Sequence, residues 1–179
     1  MRLDRTRPPD PFDHLPVLPE FTVTSADFAT DDTLPMAHVY HGAGGGNTSP
    51  HLSWTGFPAE TKGFAVTCFD PDAPTGCGWW HWILVDLPVD VTSLPSGAGA
   101  ADGDLLPDGA SQLRNDYGSH DYGGAAPPPG DHFHRYFFTV YALDTDDLGL
   151  SPDTSAAVAS FTINAHALAR GHLRATFAH

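Results

Sequence analysis

The residue pattern predicts a mainly β chain: an antiparallel β-sandwich with long loops, short peripheral helices and one small helical segment near the C-terminus. Three observations carry this. Apolar runs of strand length, rich in β-branched and aromatic residues, recur through the chain. Gly (18) and Pro (17) are scattered along it, which favours short elements joined by tight turns over a helical bundle. Helix-start signals appear only beyond residue 150.

Residues 1–20 read as a flexible arm, because Pro8, Pro9, Pro11, Pro16 and Pro19 prevent regular structure; residues 21–179 form a single domain. The alternation Phe21-Thr-Val-Thr24 predicts the first strand, and His38-Val-Tyr40 a second short one. The stretch Gly42–Pro50 is Gly-rich but lacks the Gly-Lys-Ser/Thr ending of a phosphate-cradling loop, so it reads as a turn. Leu52–Trp54, Gly63–Phe69 and Trp80–Leu87 are strands, the last two apolar on both faces. Residues 95–112 and 116–131 are long connections, and Phe133–Leu143 is the most apolar strand. Ser151-Pro-Asp153 combines a helix N-cap, a proline at the first helical position and an acid in the first turn. It predicts a helical segment to about Arg170, in two short pieces ended by Gly171, with Leu173–Phe177 closing as a strand.

Charge excludes function classes. The formal net charge is −14, and Lys62 is the only lysine. Nucleic acid and anionic membrane surfaces need clustered Lys and Arg, so neither is an expected partner. Any anion pocket must work through His, Arg, Tyr or backbone N–H against an unfavourable overall field. Cys68 and Cys77 are too few for a disulfide framework or a zinc set and read as free thiols. No signal peptide and no membrane-length apolar run is visible, so a cytoplasmic setting is expected.

Three segments set polar residues beside apolar strands. Asp70-Pro-Asp72-Ala-Pro74 puts two carboxylates on a stiff turn at a strand end; it suits an Asx turn or a rigid binding edge. His81 lies between tryptophans in Trp79-Trp-His-Trp82, either as a packed ring or as a group whose charge pairing is strengthened by low local dielectric. In His132-Phe-His-Arg-Tyr136, strand alternation puts His132, His134 and Tyr136 on one face. His-x-His is a metal-ligand spacing, but weak without a third ligand, and His132 at the loop edge reads as a solvated ring.

In this order, with NTSPHLSW (47–54) and YGGAAPPPGD (122–131), these segments resemble the phosphatidylethanolamine-binding protein family, in its bacterial and archaeal, Raf kinase inhibitor-like branch. The likeness runs from about Phe21 to Phe177. It implies a β-sandwich with a small surface pocket for phosphate-like anions, such as phosphate or phosphorylethanolamine. Carried over by position, the pocket comprises Asp70, Asp72, Pro74 and His81, a wall of Pro127 and Pro128, and His134 with Tyr136. Ala126 stands where animal members commonly have Gly, which would narrow the pocket, and Pro74 is where the family tends to hold a cis proline.

The expected mechanism has His81 and His134 facing the anion as imidazolium donors. Asp70 and Asp72 orient the rings or receive a cationic part of the ligand, and the Tyr136 hydroxyl supplements them. No catalytic residue, cofactor or metal is expected. Two other classes compete. Two aspartates near two histidines suit a metal-dependent hydrolase, although no nucleophile elbow or HExxH helix is present. The resemblance also implies a protein-interaction module that inhibits a kinase or protease through the same pocket, and bacterial relatives suggest a homodimer. Arg2, Arg5 and Arg7 give the arm a possible second contact.

Overall fold

The computed structural model describes residues 3–179. Eight strands and one helix follow in the order β1 (Thr22–Thr24), β2 (Leu52–Thr55), β3 (Gly63–Asp70), β4 (Trp79–Pro88), β5 (Ser93–Leu94), β6 (Ser111–Gln112), β7 (His134–Leu143), α1 (Ala156–His166) and β8 (Ala167–Phe177). They build a three-stranded sheet, β1-β2-β5, and a five-stranded sheet, β6-β4-β3-β7-β8. Every named strand pair is antiparallel. The expected mainly-β, two-sheet architecture is therefore present.

The unbroken apolar runs of β3, β4 and β7 follow from burial on both faces. Phe64, Val66, Trp82, Leu84, Phe138 and Val140 point into the core shared with Leu52 and Trp54 of the small sheet. Ala65, Ile83, Val85, Tyr141 and Leu143 point the other way, onto Ala159 and Ile163 of α1. Burying a Leu, Val or Phe side chain is worth about 1.5–3 kcal/mol, so either cluster alone would be a thin core for 179 residues.

Several boundaries differ from expectation. Ser151-Pro-Asp153 is only a turn, closed by Thr154 N–H donating to Ser151 O at 2.9 Å. Ser155 caps the helix instead, its side chain accepting from Val158 N–H, and α1 is one piece. β8 starts at Ala167 and runs through Gly171, which sits opposite Val140. That glycine is a crossing point: a Cβ there would lie 2.3 Å from the carbonyl oxygen of Phe21. His38-Val-Tyr40 is no strand; Met36–His38 is a 3-10 turn, followed by one bridge from Val39 to Ala125. Where the resemblance implied a cis bond at Pro74, no described peptide bond is cis.

Residues 3–20, expected as a flexible arm, lie along the outer face of the large sheet. Pro11–His14 form a 3-10 turn whose first N–H groups are capped by Asp10. Phe12 stacks on His172 at 5.0 Å and meets Phe137 edge-on at 5.7 Å, with the Arg170 guanidinium 4.6 Å from its ring centre. Arg2 lies outside the described residues. Among those described, no helix is long and apolar enough to cross a membrane, and Cys68 and Cys77 are both free thiols.

Candidate functional site

Antiparallel pairing brings the end of β3 beside the starts of β4 and β7, so Asp70, His81 and His134 meet at one end of the large sheet. There the β3–β4 register shifts: Cys68 pairs with Trp82 but Phe69 with Trp80. His81 is the extra residue of this bulge, and a bulge re-aims the side chain that it inserts. His81 thereby turns towards Tyr136 and Tyr117, ring centres 5.2 and 5.7 Å away.

A cavity of about 620 Å³ opens at this point. Six expected residues line it: Asp70, Pro74, His81, Pro127, Pro128 and His134. Tyr40, Trp79 and Tyr117, which had not been assigned there from the sequence, also line it, as does Ala126. Tyr40 and Tyr117 stack at 4.4 Å, with Trp79 edge-on to Tyr117 at 5.3 Å. Gly124 lets the loops forming this wall close: a Cβ on it would come 2.5 Å from the backbone of Val39 and Tyr40. No lysine or arginine lines the cavity.

The two histidines are in opposite states. His81 is buried, and its Nδ1–H donates to the Gly123 carbonyl at 2.7 Å. Burial pushes its pKa down despite the Asp70 charge, so the ring is neutral at pH 7 and Nε2 carries a lone pair with no partner. His134 is buried too, yet held between carboxylates: Nδ1 is 2.7 Å from Asp70 Oδ2 and Nε2 is 3.1 Å from Asp131 Oδ2. Burial lowers its pKa, but Asp70 and then Asp131 outweigh burial and raise it. The two carboxylates favour the protonated ring, and both of its nitrogens are engaged inside the protein.

Asp70 is also fully engaged, since Oδ1 accepts from Asp72 N–H at 2.7 Å. Asp131, which sequence reasoning did not single out, is buried. Desolvation acts to raise its pKa, but hydrogen bonds from His134, Arg5 and His132 hold it well below the usual carboxylate range. The only early signal for Asp131 is its place three residues before His134. Arg5 had no local signal connecting it to the site.

Asp72 does not reach the cavity. Its Oδ2 accepts from Arg135 Nε at 2.7 Å and from Arg135 N–H at 2.9 Å, and its Oδ1 from Arg135 Nη2 at 2.9 Å. Tyr136 lies beneath the lining residues, beside His81; its buried hydroxyl has no partner, and burial followed by the Asp70 charge keeps it protonated. His132 is half-buried and turns to Asp131 Oδ1 at 2.8 Å. No described group of three or more His, Cys, Asp or Glu residues is arranged to hold a metal.

Comparison with known proteins places the chain in a family. The family model described as phosphatidylethanolamine-binding protein matches residues 24–178. The UPF0098 protein YbcL of Escherichia coli K12 is 49% identical over 155 residues, covering 86% of this chain and 85% of that protein. YbhB of the same organism is 48% identical, covering 86% and 97%. The crystal structure of E. coli YbcL, described as a new member of the mammalian PEBP family, superposes with a TM-score of 0.87 at 48% identity, covering 89% of this chain and 99% of that one. With a matched fold, two relatives near half identity and the family model spanning nearly all of the domain, the chain belongs to the phosphatidylethanolamine-binding protein family.

Proposed function

We propose that the chain is a non-enzymatic, regulatory binder of a small phosphate-like anion, and that the cavity takes the anion at His81 Nε2 and the Tyr136 hydroxyl. One observation carries this reading: His81 Nε2 and Trp79 Nε1 of the cavity wall and the Tyr136 hydroxyl beneath it are buried polar groups without partners, and a buried polar group left unpaired costs about 1–3 kcal/mol. His134 does not clamp the anion directly; it is the fixed positive charge at the cavity's edge. Entry of an anion would favour the charged form of His81, so binding takes up a proton at Nε2, which then donates to the ligand. Affinity therefore rises as pH falls, while the site stays weak against the −14 background. Binding without catalysis is supported by the way Asp70 and His134 are spent on each other. The cytoplasmic setting expected for this role agrees with two free thiols.

Sulfate does not titrate near neutrality, so it isolates the protein's own proton. Calorimetry of sulfate and inorganic phosphate binding between pH 5.5 and 8, in buffers of different ionisation enthalpy, should show proton uptake with sulfate. His81→Gln should abolish both the uptake and the pH dependence. No binding at millimolar anion, or binding that releases protons, would overturn the reading.

A further inference from the structure

Arg5 and Arg7 of the arm converge on the underside of the site. Arg5 Nη1 donates to both carboxylate oxygens of Asp131, at 2.8 and 2.7 Å, and its Nη2 reaches the backbone carbonyl of Asp72. Arg7 donates to the carbonyl of Phe133. The grip is reciprocal, because Arg135 Nη2 donates to the carbonyl of Pro8 at 2.8 Å. Asp131 is fully covered and the Arg5 side chain is 22% exposed, so this is a mostly desolvated pair.

The pair matters because of what lies on the other side of Asp131. The same carboxylate holds His134 Nε2 at 3.1 Å, closer than the Arg5 guanidinium at 3.4 Å. Asp131 thus bridges Arg5 and His134, whose Nη2 and Nε2 are themselves 3.4 Å apart. Asp72 is met by Arg135 at 2.7 Å and by Arg7 at 3.6 Å; without Arg5, the carboxylates of Asp70 and Asp131 are left with only the His134 and His132 rings, beside a cavity that has no lysine or arginine of its own. Arg5 gives Asp131 a permanent cation. The family match begins at residue 24, so this cation comes from outside the matched domain.

We propose that the N-terminal segment is a latch on the cavity, in which Arg5 is a positioning residue: it balances the Asp70–His134–Asp131 array and fixes the Nε2 side of His134, making anion binding depend on the arm. The affinity part of this inference rests on the anion reading above; the ring-positioning part does not. Groups that face His134 are Asp70 from β3, Asp131 and His132 from the loop before β7, and Arg5 from the arm.

The test compares Arg5→Gln and Arg5→Lys with the parent chain near pH 6. Its readouts are inorganic phosphate affinity by calorimetry and the imidazole N–H signals of His134 in 1H–15N spectra. Arg5→Gln should weaken phosphate binding about fivefold, as loss of a nearby unit charge does at intermediate dielectric. It should broaden the His134 Nε2–H signal while sparing the Nδ1–H held by Asp70, and that persisting signal also reports an intact fold. Arg5→Lys should retain affinity within about twofold, because the charge is kept though the bidentate fork is lost. An Nε2–H signal unchanged in Arg5→Gln, or unchanged phosphate affinity, overturns the latch. Absence of phosphate binding in the parent chain overturns the anion reading instead, and the ring signal alone then decides the latch.

Discussion

Asp70 and Asp72 are separated by one proline, yet they serve different parts of the molecule. Asp70 ends β3 and faces the cavity; Asp72 lies past the strand end, where two-residue alternation no longer applies, and turns to Arg135. Sequence reading found both carboxylates but could not divide them, because the division depends on where β3 stops. Asp72→Ala should cost about 3–5 kcal/mol, as removing one partner of a buried ion pair does, and chemical denaturation would show it. Sulfate affinity of the still-folded fraction should change less than about twofold; a tenfold loss would put Asp72 in the site. Tyr136→Phe should do the reverse. Removing a buried hydroxyl without a protein partner should leave stability equal or raise it by about 1 kcal/mol, while sulfate binding weakens severalfold. If Tyr136→Phe instead destabilises the fold and binds normally, the hydroxyl is structural.

Elements were most legible where burial alone dictates them. β3, β4 and β7 are apolar on both faces, and no loop could bury such runs. Where a local signal stands alone, tertiary packing can override it. Ser151-Pro-Asp153 carries the start signal read from the sequence, yet the structure caps α1 at Ser155, which lays Ala159 and Ile163 on the large sheet. Ser155→Ala should therefore lower stability by about 1 kcal/mol, with Ser151→Ala near neutral in parallel thermal melts. Equal effects would return the cap to Ser151. The bulge that aims His81 was illegible for another reason. Trp80–Leu87 reads as one continuous strand, and an extra residue shows only in the register against β3. The arm carried no periodicity, so its packing through Phe12 and its reach to Asp131 depend on contacts more than 120 residues away in sequence.

For the molecule as a whole, opposed histidines set the pH response. His134 is raised in the fold, so its stabilisation is complete below the ordinary histidine value of 6.5 and is lost as pH climbs through its higher folded value. Asp131 is lowered, so its contribution is complete above the ordinary 3.8 and is lost as pH falls. His81 and His172 are lowered by burial, so their contribution is complete above 6.5 and drains away as acid forces a proton onto them. Stability of the unliganded protein should accordingly peak near pH 6.5 and decline on both sides. A bound anion changes only the acid side, because it welcomes the proton on His81 that the empty fold resists. Thermal melts with sulfate, matched in ionic strength against chloride, should show a sulfate-induced rise in Tm that is larger at pH 5.5 than at pH 7.5. His81→Gln should make the two increments equal. Equal increments in the parent chain would mean that sulfate binds without charging His81, and the site would then have to draw its positive charge from His134 alone.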